Sequence, residues 1–273
     1  MNYKLISTDL DGTFLNSSEQ ISEKDNAAMK KLTEKGVIIV ANTGRTLYEM
    51  PPCVYENPYI DYYIGSNGSV IYNKERKIVY NEYISTDNFA KVFALLKSYD
   101  TAFAIHEKGV SVLDVNMSTE QYWKGHRASA YAARNFIRFS DIEQNFDNRY
   151  SMPTEAEMIC CYFKYANELD ECTKRLSEID GIATAASSGE NIEVFNSKVN
   201  KGNTLLKLCD LLGIDKNETI AVGDSKNDIN MLGVAGLSLA VSNAKEEVKA
   251  VADDIICSCD DGIMEYILNR YCD

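Results

Sequence analysis

No run in this 273-residue chain approaches the roughly 18 uninterrupted apolar residues that a membrane-crossing helix requires. The first residues enter a strand pattern directly, without the charged and apolar regions of a secretory leader. The expectation is therefore a cytoplasmic protein that does not span a membrane. An excess of positive charge is missing as well. The formal net charge of -13 would repel a phosphate backbone or an anionic lipid surface, which argues against nucleic-acid and membrane partners. A small phosphorylated molecule would meet the same long-range repulsion, so a site for one needs local cations. The eight cysteines lack metal or redox spacing: there is no C-x-x-C, Cys160 and Cys161 are adjacent, and Cys257-x-Cys259 is a single pair. Most lie in apolar runs and read as buried, reduced thiols. Internal repeats and low-complexity tracts are also lacking.

With 45% hydrophobic and 25% charged residues, the composition is that of a soluble globular protein, and the length allows one large or two ordinary domains. The chain opens with an apolar strand, Leu5-Ile6-Ser7-Thr8, that ends in two carboxylates one residue apart, Asp9 and Asp11, with Gly12 to turn the chain away. Ser22 followed by Asp25 marks a helix start, Ala28, Met29 and Leu32 supply its apolar stripe, and Gly36 follows its end. The run Val37 to Asn42 is β-branched and buried, and terminates in Thr43-Gly44-Arg45. This is one strand–helix–strand crossover of a parallel sheet. Tyr62-Tyr63-Ile64 reads as a third strand, closed by Gly65-Ser66-Asn67-Gly68-Ser69, and residues 70–83 alternate as a hairpin turning at Asn73-Lys74-Glu75-Arg76. From about Ser85 the pattern changes to strands without clustered acids at their ends: Thr101–Ile105, Val110–Val115, Met158–Phe163, Ile182–Ala186 and Ile192–Phe195. Residues 116–156 are the least legible. The first pattern resumes at Asn200, with a leucine-rich helix stopped by Gly213, a strand Thr219–Gly223 ending in Asp224-Ser225-Lys226-Asn227-Asp228, and last strands at Leu237–Val241 and Asp254–Cys257.

Two acids at the carboxyl end of a parallel strand stand where open α/β sheets bind ligands, and their mutual repulsion asks for a divalent metal or a shared proton. Asp224 and Asp228, four apart at a strand-to-helix junction, can face one point. Joined with Asp9 and Asp11 they form an all-oxygen anionic cage of the sort that Mg²⁺ prefers. Thr43 (hydroxyl and N–H), the Gly44 N–H, the Lys201 ammonium and the Asn227 amide are donors that a phosphoryl group would need. Each also has a plainer reading: Thr43 and Gly44 as a turn, Lys201 as a solvated lysine at a helix start, Asp228 as an acid favoured by a helix N-terminus, Asp-Gly as an ordinary turn former.

Asp9-Leu10-Asp11-Gly12-Thr13, Thr43-Gly44-Arg45, Lys201-Gly202 and Gly223-Asp224-Ser225-Lys226-Asn227-Asp228 resemble, in order, the four motifs of the haloacid dehalogenase-like hydrolase superfamily, and more narrowly its Cof-type phosphatases with an α/β cap of type IIB. The likeness covers roughly residues 1–83 and 196–273; the middle is similar to the cap of that subfamily in position and element order. It implies an α/β protein, a Rossmann-like doubly wound parallel-sheet core (residues 1–84 and 194–273) with an inserted α+β cap domain (residues 85–193). It further implies that Asp9 is the nucleophile, forming an aspartyl-phosphate, and that Asp11 is the acid/base. Mg²⁺ would be held by Asp9, the carbonyl of Asp11, Asp224 and Asp228, the last directly or through water. Thr43, Gly44, Lys201 and Asn227 would bind the phosphoryl group, and Arg45 would reach the substrate or the cap, or form a structural salt bridge. Asn67-Gly68 also matches a recurrent subfamily feature, with turn-making as its simplest explanation.

The acid at Asp11 favours a phosphatase or phosphomutase over superfamily branches that lack it. The leading expectation is a Mg²⁺-dependent phosphatase of small phosphorylated metabolites, with sugar phosphates the foremost class. The alternatives are a phosphosugar mutase, or a regulatory protein with a retired site. His106, Trp123, Lys124, His126 and Arg127 are candidates to touch a leaving group, or are packing and surface; Arg134 and Arg138 could bind a second anion, or form a solvated face.

Overall fold

The computed structural model describes residues 3–150, 154–186 and 190–272. The chain divides into two compact units, residues 1–80 with 200–273, and residues 81–199.

The first unit is built on strands β1 (Leu5–Thr8), β2 (Ile38–Asn42), β3 (Tyr62–Gly65), β4 (Val70–Asn73), β5 (Ile78–Asn81), β12 (Thr219–Gly223), β13 (Leu237–Val241) and β14 (Asp254–Ile256). They form one sheet in the order β14-β13-β12-β1-β2-β3-β4-β5, parallel from β14 to β3 and antiparallel from β3 to β4. The chain builds outward in one direction from β1 through β2 and β3, and in the other from β12 through β13 and β14. The point of reversal, between β1 and β12, is where a doubly wound sheet leaves a crevice at its carboxyl edge. β1 is fully buried, and Ser7 hides its hydroxyl by donating to the Met231 sulfur at 3.2 Å.

The capping signals act as the sequence suggests. Ser22 accepts from the N–H of Asp25 and starts the helix Glu23–Glu34. The Asp25 carboxylate, almost fully buried, also accepts from the N–H of Met264 at 2.7 Å, tying this helix to Ile263–Tyr271. Asn200 caps the helix Lys201–Leu212, and Gly213 closes it in the left-handed conformation.

The second unit carries β6 (Thr101–Glu107), β7 (Val110–Asp114), β8 (Ser140–Glu143), β9 (Ala156–Phe163), β10 (Ile182–Ala185) and β11 (Asn191–Asn196) in the order β10-β11-β9-β6-β7-β8, antiparallel except for β7 with β8. One face packs Phe103, Ile105, Ile159 and Cys161 with residues of the helices Thr86–Leu96 and Ala166–Ser177. On the other face, Ala102, Ala104, Cys160 and Tyr162 pack with Trp123 and Ala133 of the helices Glu120–Gly125 and Ala130–Phe139. These two short helices and β8 occupy the stretch that the sequence left unread. Four cysteines (Cys160, Cys161, Cys172 and Cys209) are buried and the other four half-buried, all as free thiols, so burial of the thiols is less general than expected. Among the described residues no helix is long and apolar enough to cross a membrane.

Candidate active site

Asp9 is the first residue beyond β1, and its N–H donates to the Val222 carbonyl of β12 at 3.0 Å, so the central strand pair fixes where its carboxylate starts. Only 6% of the residue is exposed. Lys201 meets it there. The Lys201 Nζ donates to Asp9 Oδ1 at 2.5 Å and to Asp228 Oδ1 at 2.7 Å, and the lysine is 1% exposed. The reading of Lys201 as a solvated lysine is thus overturned. Burial is enforced by its neighbour: a Cβ on Gly202 would lie 2.2 Å from the Asn230 carbonyl oxygen, so this helix begins hard against the helix Ile229–Leu232. Asn42 at the end of β2 donates its amide to the Lys201 carbonyl at 3.2 Å.

Asp228 is fully buried and both of its oxygens are occupied. Oδ1 takes the lysine; Oδ2 accepts from the N–H groups of Asp224 at 3.0 Å and Ser225 at 2.9 Å. It therefore closes the turn that presents Asp224 and orients Lys201. Asp224 is half-buried; Thr13 Oγ1 donates to its Oδ1 at 3.3 Å and Ser225 Oγ to its Oδ2 at 3.0 Å. Gly12 makes this approach possible. Its φ of +77° suits glycine, and a Cβ there would lie 3.0 Å from Asp224 Oδ2.

Asp9, Asp224 and Asp228 each offer an oxygen within 4.8 Å of the others'. Burial pushes the Asp9 carboxyl well above the usual range; Lys201 opposes this, while Asp228, Asp11 and Asp224 add to it. Asp224 is raised by burial and by Asp228. For Lys201, burial disfavours the charge, but Asp228 and Asp9 outweigh it and hold the ammonium above its ordinary range. One buried cation thus faces three carboxylates. An all-oxygen donor set with this surplus of negative charge fits a hard divalent cation.

A model of the haloacid dehalogenase-like hydrolase family matches residues 6–267. The chain belongs to that family. Its likeness to phosphatases of the Cof type, read from the four motifs, is borne out. The hydrolase is 28% identical over 275 residues to phosphatase YwpJ of Bacillus subtilis, covering 94% of this chain and 96% of that one. It is 29% identical over 269 residues to the 5-amino-6-(5-phospho-D-ribitylamino)uracil phosphatase YcsE of the same species, covering 98% and 95%. A solved haloacid dehalogenase-like hydrolase from B. subtilis superimposes with a TM-score of 0.82 at 25% identity, over 98% of this chain and 99% of that one.

The remaining site residues of this haloacid dehalogenase-like hydrolase fall at the ends of β1, β2 and β12, with differences from expectation. The Asp11 carboxylate is taken up by Arg45. It is held bidentately, Nε to Oδ2 at 2.9 Å and Nη2 to Oδ1 at 2.5 Å, and Arg45 is anchored in turn through Nη1 to the Glu49 carbonyl at 2.9 Å. The salt-bridge reading of Arg45 is the one seen. The Thr43 N–H, expected to face a phosphoryl group, instead donates to the Ile64 carbonyl at 2.9 Å, extending the ladder between β2 and β3; this corrects that part of the donor set. The Thr43 side chain accepts from the Arg45 N–H at 3.3 Å. The Asn227 amide donates to Asn67 Oδ1 at 3.4 Å.

Sequence reasoning quoted Thr13 and Ser225 within the motifs but gave them no role; the signal was a hydroxyl beside each acidic motif. It missed Asn243, whose amide donates to the Gly12 carbonyl at 2.7 Å, and Lys245, whose N–H donates to the Asp224 carbonyl at 3.0 Å. Both follow β13, in the polar stretch Ser242-Asn243-Ala244-Lys245, which carries no aspartate to mark it. In the second unit Trp123 is fully buried and stacked on Phe136 at 4.6 Å, and His106 is buried. His126 is buried too, facing the Tyr122 carbonyl at 2.7 Å and Asp100 at 2.9 Å. Lys124 pairs with Glu120 and Arg127 with Glu190, while Arg134 and Arg138 are exposed.

Proposed function

We propose that this chain is a Mg²⁺-dependent phosphoric monoester hydrolase of small phosphorylated metabolites, with sugar phosphates as the foremost class, and that it works through an aspartyl-phosphate on Asp9. The observation that carries the reading is the buried Asp9 carboxylate at the reversal point of the sheet, gripped by Lys201 at 2.5 Å. A carboxylate so held is aimed rather than free to rotate, and the lysine supplies charge where phosphoryl oxygens must come close. Relatives named as phosphatases support the reaction class. YcsE, by its name, acts on a phosphate carried by a ribityl chain, which supports a phosphorylated polyol or sugar here.

Asp9 attacks phosphorus in line; the bond between phosphorus and the ester oxygen breaks, and the leaving oxygen takes a proton from Asp11. Asp11 then takes a proton from water as that water attacks the phosphorus, and the bond from phosphorus to Asp9 breaks to release inorganic phosphate. To do either, Asp11 must let go of Arg45. Lys201, the Thr43 hydroxyl, the Gly44 N–H and the Asn227 amide bind the phosphoryl oxygens, while Asp228 keeps Lys201 aligned. When bound, Mg²⁺ would be held by Asp9, the Asp11 carbonyl and Asp224, with Asp228 ligating directly or through water, and would supply neutralisation of these carboxylates and polarisation of the phosphoryl group. The second unit, taken as the cap inserted between the two core segments, carries the choice of leaving group. No nucleic-acid or membrane partner belongs to this reading, and the location is cytoplasmic.

Release of inorganic phosphate from a panel of phosphorylated sugars, nucleotides and cofactors tests the proposal, with Asp9→Asn as control. Steady release by the wild type and none by the variant is expected. Isomer formation that depends on a bisphosphate activator would turn the reading to a mutase, and equal activity of the variant would remove the nucleophile.

A further inference from the structure

Between β3 and β4 the chain makes three consecutive left-handed residues: Ser66 (φ +50°), Asn67 (φ +57°) and Gly68 (φ +110°), all buried. Glycine adopts this conformation without strain and serine does not, yet only the third position is glycine. Strain of this kind persists where surrounding contacts over-determine it, and it concentrates at functional sites. The contacts here run to three separate segments of the proposed phosphoryl site. The Ser66 N–H donates to the Arg45 carbonyl at 2.9 Å, and the Asn67 N–H to the Thr43 carbonyl at 3.1 Å, so the loop grips the second motif on both sides of Gly44. The Gly68 carbonyl accepts from Thr204 Oγ1 at 2.7 Å, one turn along the helix that begins at Lys201. The Asn67 side chain lies between Gly44 and Asn227. Its Oδ1 would sit 3.1 Å from a Cβ on Gly44, and it accepts from the Asn227 amide at 3.4 Å.

We infer that Asn67 is a positioning residue for phosphoryl transfer. Its carboxamide holds the Asn227 amide and the Gly44 turn at a fixed separation, and the loop around it registers both against the Lys201 helix. Turn-making alone would be served at least as well by glycine at position 67. A carboxamide that is 3% exposed and set between two phosphoryl donors does more than turn the chain. Asn67 touches neither the substrate nor the reacting atoms in this account; it acts through Asn227 and Gly44. The inference rests on the phosphatase reading above.

Asn67→Gly keeps the left-handed backbone and removes the carboxamide, and Thr204→Val removes the hydroxyl bond to Gly68 with little change in shape. Asn67→Gly should lower kcat/KM by about tenfold to a hundredfold, the scale of a misplaced contact. It should weaken inhibition by inorganic phosphate by a similar factor and leave the thermal midpoint close to that of the wild type. Placed in an Asn227→Ala background, it should cost much less than it does alone, because its effect passes through that amide. Thr204→Val should weaken phosphate inhibition in the same direction. In ¹⁵N spectra the Asn227 side-chain amide should shift and broaden in Asn67→Gly, a readout independent of turnover. An active Asn67→Gly enzyme with unchanged phosphate inhibition and an unmoved Asn227 amide would overturn the inference while leaving the phosphatase reading intact. So would full additivity with Asn227→Ala. A wild type that releases no phosphate from any ester would instead overturn the reading on which it rests, and the inference with it.

Discussion

Replacing Lys201 by Met is the most searching perturbation of the core, because the side chain is nearly isosteric and fully enclosed. The substitution removes two short charge-assisted hydrogen bonds, to Asp9 at 2.5 Å and to Asp228 at 2.7 Å, and leaves two buried carboxylates facing each other. Hydrogen bonds to charged groups contribute about 1.5–3 kcal/mol each, and one-sided loss of a buried ion pair costs about 3–5 kcal/mol. The second figure is the better guide, since the Asp9 carboxyl, which burial already raises, can take up a proton instead of staying unpaired. For a unit of this size, that is a fall of about 10 °C in the thermal midpoint near neutral pH. The pH dependence has a definite sign. Burial already raises the Asp9 carboxyl and Lys201 opposes that rise, so without the lysine it lies further above its unfolded value; the folded state then binds that proton more readily and gains stability as pH falls. The deficit against wild type should therefore shrink between pH 7.5 and pH 5, and Mg²⁺ should shrink it at neutral pH. Thermal melts of both proteins across that range, with Mg²⁺ and with EDTA, make the measurement. A variant that melts within about 2 °C of the wild type throughout, or a deficit that widens towards acid, would refute the argument that the ammonium compensates buried charge.

Asp11→Asn should slow turnover by roughly two to four orders of magnitude, as expected for loss of a general acid and base, and a change below about tenfold in steady-state assays would assign that proton transfer elsewhere. EDTA should silence phosphate release and added Mg²⁺ restore it; calorimetric titration of the apo protein should show Mg²⁺ binding that Asp224→Asn abolishes. Gly202→Ala should destabilise the core by about 3 kcal/mol or more, because the new methyl meets the Asn230 carbonyl and neither backbone can yield. Urea denaturation would read that shift directly.

Much of the core was legible because each of its strands ends in punctuation. Asp9, Thr43 and Asp224 all follow buried β-branched or apolar runs, and parallel pairing brings such ends to one edge whatever the separation in sequence. The caps at Ser22 and Asn200, and the stop at Gly213, were equally plain, since each is a local hydrogen-bonding device. What stayed hidden depends on tertiary contact. Nothing in Lys201-Gly202 says that the lysine is enclosed; the sign of it is the Asn230 carbonyl, which lies hard against Gly202 from another segment of the chain. The Thr43 N–H looked available because the strand seemed to end one residue earlier, and only the neighbour's Ile64 shows that the ladder runs on. Asn67 read as a turn because its partners, Asn227 and Gly44, lie on different strands' ends. Between residues 116 and 150 the helices Glu120–Gly125 and Ala130–Phe139 are short and each buries a single residue, Trp123 and Ala133, so neither writes a long apolar stripe into the sequence.

The order of the sheet has a bearing on how the molecule is made. β1 lies between β2 and β12, and its pairing with β12 joins Leu5 to Thr219. A ribosome delivers the first strand long before its second neighbour, so the nascent chain must carry an apolar edge uncovered through most of synthesis. Residues 81–199, by contrast, are contiguous and can collapse on their own as they emerge. Translation speed near the last quarter of the message, and chaperone occupancy before it, should govern the yield of this protein more than any single substitution on its surface.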